Sequence, residues 1–80
     1  MASRRVKFTY TASLIPDPVI YELGKRFPIV TNIRRADVRE TFGWVILEMI
    51  GEDADMDRGL EWVRSKGIRV DPAGGDVVEG

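Results

Sequence analysis

The sequence predicts an α+β sandwich, a four-stranded antiparallel sheet with two helices on one face. Three observations predict it. Apolar residues alternate with polar ones near the N-terminus, in Val6, Phe8 and Tyr10. Two later stretches carry apolar residues at helical three-and-four spacing. The pieces fall in the order strand–helix–strand–strand–helix–strand, with only a short connection in the middle.

Each element has its own signal. Val6, Phe8 and Tyr10 interleave with Lys7, Thr9 and Thr11, the period of a half-buried strand. Pro16-Asp17-Pro18 follows, and places Asp17 as a helix cap with Pro18 in the first helical position. Val19, Ile20, Leu23, Gly24 and Phe27 then share one arc of a helix, and Pro28 stops it. Residues 29–40 read as an extended strand with a break in it. Ile29, Thr31 and Ile33 share one parity, whereas Ala36 and Val38 take the other. Side chains alternate between faces along a strand, so a parity change requires an extra residue or a kink.

Thr41-Phe42-Gly43 is a short connection and makes the next strand antiparallel. That strand, Trp44 to Ile50, is apolar at both parities apart from Glu48, as a central strand covered on both faces would be. Either Trp44, Ile46 and Ile50 or Val45, Leu47 and Met49 face the helices. Gly51 ends it. Asp53 or Asp55 caps a second helix carrying Met56, Gly59, Leu60 and Val63 on one stripe, and Gly67 closes it. Ile68 and Val70 begin a short last strand. Residues 72–80 read as a frayed tail behind a single domain of residues 1–71. Two right-handed strand–helix–strand units in this order make a ferredoxin-like βαββαβ sandwich.

Composition narrows the function. The 80 residues are 44% hydrophobic and 31% charged, with neither cysteine nor histidine. A disulfide framework, a zinc site or a thiol–imidazole pair is therefore not expected, nor is any cofactor. Ser13 and Ser65 have no imidazole to activate them, and the glycines do not form a phosphate loop. No enzyme is predicted. No apolar run reaches the ~18–20 residues that span a bilayer, and no leader peptide is evident. A cytoplasmic setting without membrane insertion is expected.

Charge is uneven. Residues 1–40 carry eight basic and four acidic side chains, and residues 41–80 carry four and nine. The acids at 52, 53, 55 and 57 suit a helix start. The order of elements also matches RNA-recognition domains, but the third strand, Phe42 to Glu48, lacks their basic-Gly-aromatic pattern. Nucleic acid is not an expected partner.

The break beside Asn32-Ile33-Arg34 is the sharpest candidate site. An amide offers two donors and an acceptor, and a kinked backbone frees N–H and C=O groups. Asn32 is also compatible with a plain edge or turn residue. Trp62 and Tyr21 lie off their helix stripes. Each either leans over the core edge or meets a partner.

The chain resembles the NIL domain family, named for an Asn-Ile-Leu motif. The resemblance runs through Val6-Lys7-Phe8-Thr9, Pro18-Val19-Ile20, Asn32-Ile33, Ala36-Asp37-Val38, Gly43, Gly51 and Leu60-Glu61-Trp62-Val63. The chain departs from the motif at Arg34, where the name has Leu. The resemblance implies a ferredoxin-like fold and a role seen at the C-terminus of methionine-importer ATPases. There such domains bind methionine, pair with each other and inhibit transport. Others are attached to iron–sulfur ferredoxin domains in sulfur amino-acid metabolism. With neither an ATPase segment nor cysteine, the chain is expected to be a stand-alone version.

Two functions follow as expectations. In the first, the chain is a non-catalytic homodimeric sensor of a small amino acid related to methionine. The motif Asn and its neighbour map onto Asn32 and Ile33. Asn32 would hold the ligand's polar end with backbone around Ile33-Arg34, while Trp44, Ile46 or Met49 would line the apolar end. The second is an interaction module without its own ligand that docks on an iron–sulfur protein or another sulfur-metabolism enzyme; an ABC transporter is the other partner that the resemblance implies.

Overall fold

A computed structural model of the chain describes residues 1–73. The elements are β1 (Ala2–Thr11), α1 (Val19–Arg26), β2 (Val30–Val38), β3 (Phe42–Gly51), α2 (Asp53–Ser65) and β4 (Arg69–Pro72). All strand neighbours are antiparallel and the sheet order is β2-β3-β1-β4. This is the expected ferredoxin-like sandwich, with β1 and β3 in the middle.

Alternation decides which side chains the helices cover. Val6, Phe8 and Tyr10 of β1 pair with Leu47, Val45 and Gly43 of β3, and all six are buried. Met56 and Val63 of α2 and Leu23 of α1 close the core from above. The parity left open on β3 is thereby resolved: Val45, Leu47 and Met49 face the helices. Trp44, Ile46, Glu48 and Ile50 lie half-buried on the bare face.

The parity break in β2 is a bulge. Ile33 pairs with Leu47 and Arg35 with the adjacent Ile46, so Arg34 is the extra residue. Thr31, Ile33, Ala36 and Val38 consequently share the helix face, whereas Val30, Asn32, Arg35 and Asp37 share the bare one.

Element boundaries differ from the expectations: β2 ends at Val38 and β3 begins at Phe42, so the connection between them is residues 39–41 instead of 41–43. β1 starts at Ala2, four residues before Val6. A 3-10 turn at Ala12–Leu14 precedes α1, and Pro18, with ψ 63°, is the cap residue instead of Asp17. Glu52 stands at the cap of α2, ahead of Asp53 and Asp55, and its side chain accepts no cap hydrogen bond. The acidic first turn is instead tied to β1. Arg4 Nη1 donates to Asp57 Oδ1 at 2.7 Å, and Nη2 to Asp53 Oδ1 at 3.0 Å. Gly67, at φ 94°, reverses the chain after α2 as expected. Of the expected tail, Pro72 ends β4, and residues 74–80 lie outside the described residues.

Gly59 sets the spacing between α2, α1 and the segment that leads into β2. A Cβ there would sit 2.9 Å from both Ile29 Cδ1 and Leu23 Cδ1. Gly59→Val adds two further methyl groups to that contact. The expected result is a loss of about 1–3 kcal/mol in urea denaturation, the usual cost of overpacking.

Candidate functional site

β2 is longer than the helix beside it. α1 has eight residues, about 12 Å at 1.5 Å per residue. β2 has nine, about 30 Å at 3.3 Å each. α1 therefore leaves much of the helix face of β2 uncovered. Ile33 and Val38 are 54% and 53% exposed although they sit on that face.

The uncovered stretch forms one wall of a groove of about 250 Å³. Ile33, Ala36 and Val38 line it from β2, and Val19, Ile20 and Tyr21 from the start of α1. Tyr10 and Val45 line it from the central strands, with Ile15 and Pro18 in the connection before α1. Asp17 is its one charged lining residue. Apolar concavities with a few polar groups are the usual form of small-ligand sites. Exposed hydrophobics gather there, with Tyr21 more than half exposed like Ile33 and Val38.

Tyr10 is the one groove residue with both burial and a polar atom to place. It is 9% exposed, and burial pushes its phenol up to about 12. β2 is also an edge strand, paired only with β3. Its outer backbone edge is open to another strand.

The bare face is mixed, with Val30, Trp44, Ile46 and Ile50 among charged and polar side chains. Asn32 lies there opposite Glu48, and Arg34 Nη1 is 3.8 Å from Glu48 Oε1. Lys7 Nζ stands 5.2 Å above the Trp44 ring. Arg34, Arg35, Arg5 and Ile46 border a second, more polar depression. Among the described residues no cluster of acidic side chains is arranged to hold a metal ion. No helix there is long and apolar enough to cross a membrane.

The family model of the NIL domain matches residues 4–72. The chain belongs to the NIL domain family. It is 32% identical over 57 residues to the methionine import ATP-binding protein MetN 1 of Bacillus licheniformis. That match takes in 66% of this chain and 17% of the relative, so the chain spans only a small part of it. The fold is similar to the C-terminal domain of an ABC transporter ATP-binding protein from Enterococcus faecalis. There the TM-score is 0.76 at 13% identity, over 89% of this chain and 83% of that one. It is also similar to the de novo designed protein Ferredog-Diesel, with a TM-score of 0.51 at 20% identity, over 88% and 84% of the two chains.

In this NIL domain the six residues singled out from sequence do not share one surface. Ile33 lines the groove. Asn32, Trp44 and Ile46 lie on the opposite face of the sheet, where Arg34 meets Glu48. Met49 is in the core with no exposed surface. Trp62 is engaged by its own chain, its ring 6.1 Å from Phe27 and flanked by Arg26 and Lys66. Sequence reasoning missed Tyr10, Val19, Ile20 and Val38 as groove residues. The available signal was length: an eight-residue helix cannot cover a nine-residue strand.

Proposed function

We propose that this NIL domain is a non-catalytic regulatory domain that binds a small amino acid of the methionine type and works as a homodimer. The groove between α1 and β2 carries this reading. Its volume of about 250 Å³ lies just below the ~300–1,000 Å³ usual for drug-sized ligands. Its walls are aliphatic and aromatic, and they suit an amino acid with an unbranched apolar side chain. The relative named for methionine import supports that choice of ligand.

The apolar end of the ligand is assigned to Val19, Ile20, Ile33 and Val38. Asp17 at the rim offers a partner for an ammonium group. The bulge at Arg34 breaks the regular β2–β3 register and offers backbone groups for the polar end. A second copy added along the open edge of β2 would cover Val30, Ile33 and Val38, which are 61%, 54% and 53% exposed. If that pairing is centred on the bulge, Asn32 and Arg34 of both copies lie at the joint. Across an antiparallel joint opposed side chains keep the same face, so Asn32 of both copies stays on the bare face, and its contribution to binding runs through the joint and the bulge backbone. The regulated partner, on this reading, is the ATP-binding subunit of an ABC importer.

Thermal melting against a panel of amino acids tests the proposal. A ligand at 100 times its dissociation constant adds about 2.7 kcal/mol. For a domain of this size that is a shift on the order of 10–20 °C. L-Methionine is expected to give it, and Asn32→Ala is expected to reduce it. A panel at millimolar concentration that leaves the melting temperature unmoved would contradict the reading. An undiminished shift in Asn32→Ala would remove Asn32 from the site.

A further inference from the structure

Tyr10 is nine-tenths buried on β1 and lines the groove. Its ring meets Phe8 edge-on at 6.5 Å. Its hydroxyl has no hydrogen-bond partner among the described residues. Buried polar groups are almost always paired, because leaving one unpaired is costly. Phenylalanine would fill the same space without that cost. Nothing in the packing of the core therefore calls for the oxygen. The groove is the open space beside it, and a bound molecule there is placed to supply the missing partner. Desolvation alone raises this phenol, with no charged neighbour contributing, so the hydroxyl stays neutral and able to donate. The groove's one charged side chain, Asp17, lies in the exposed connection before α1. The two would meet different parts of one ligand: a charged end at the rim and a neutral acceptor inside.

We propose that Tyr10 is the specificity-determining residue of the groove, its hydroxyl donating a hydrogen bond to a heteroatom in the ligand's otherwise apolar side chain. This rests on reading the groove as an amino-acid site, and it names the class selected. That class is aliphatic amino acids whose side chain carries a sulfur or oxygen acceptor, chosen over hydrocarbon chains of the same shape. A thioether is a weak acceptor, and sulfur also packs favourably at the edge of an aromatic ring. Tyr10 offers both contacts to a methionine side chain.

Calorimetric titration of L-methionine and L-norleucine into the full chain and into Tyr10→Phe tests this. The two ligands have similar length and differ by sulfur against methylene. The wild-type chain is expected to prefer methionine by about three- to tenfold, the range of a modest hydrogen bond. In Tyr10→Phe the preference should collapse towards one, through weaker methionine binding with norleucine unchanged or tighter. Melting without ligand is the folding control: Tyr10→Phe should melt at or above the wild-type temperature, because it loses an unpaired hydroxyl. An unchanged preference in Tyr10→Phe overturns the role of Tyr10 and leaves the groove reading standing. A lower melting temperature with both ligands weakened equally overturns it as well, since the hydroxyl is then structural. No binding of either amino acid to the wild-type chain overturns both.

Discussion

Phe8→Ala is expected to destabilise the domain by about 3–5 kcal/mol, the range for emptying a fully enclosed aromatic site. Phe8 has no exposed surface. It sits on central strand β1, opposite Val45 of β3 on one side and Val70 of β4 on the other. Collapse around the gap is restricted because both neighbours are held in register by backbone pairing. Stabilities of about 0.05–0.15 kcal/mol per residue give a chain of 80 residues roughly 4–12 kcal/mol in all. The variant is therefore expected to be partly or wholly unfolded at 25 °C, as read by far-ultraviolet circular dichroism and urea denaturation. A loss below about 1 kcal/mol would mean that Phe8 is not enclosed as described.

Ile33→Asp is expected to leave the free domain nearly as stable as wild type and to erase its response to ligand. Ile33 is more than half exposed, and substitutions at such positions usually stay within about 0.5 kcal/mol. Its side chain forms part of the apolar wall of the groove. A carboxylate there would have to lose water when the ligand's side chain enters, which costs several times what the lost methyl contacts contribute. The stabilisation of about 2.7 kcal/mol from saturating methionine should vanish. A full shift in this variant would place the ligand elsewhere.

The fold was legible because it rests on local periods. Val6, Phe8 and Tyr10 show a period of two, and Met56, Gly59, Leu60 and Val63 a helical one. The bulge was legible for the same reason: one extra residue, Arg34, reverses the parity of everything after it. The start of α1 was misplaced by one residue. Asp17 suits a cap chemically, but Pro18 holds a non-helical ψ and the 3-10 turn before it moves the start of the helix to Val19.

The site was less legible because it depends on how far one element covers another. Asn32 and Ile33 are adjacent, so in a strand they point to opposite faces, and a motif that names both cannot say which face holds a ligand. β3 is apolar at both parities, which left Trp44 and Ile46 equivalent to Met49 until the pairing with β1 placed them on opposite sides. The groove arises where a short α1 lies over a longer β2, a relation between elements that no window of sequence contains. Tyr10 read as core from its alternation, and it is core. Only the missing partner of its hydroxyl marks it as more.

Titration of L-methionine into isotopically labelled protein, followed by amide resonances, tests the groove most directly. Shifts are expected to concentrate at Val19, Ile20, Ile33, Ala36 and Val38, with Lys7, Thr9, Trp44 and Arg69 on the bare face little changed. Shifts confined to the bare face, or none at saturating methionine, would contradict this expectation.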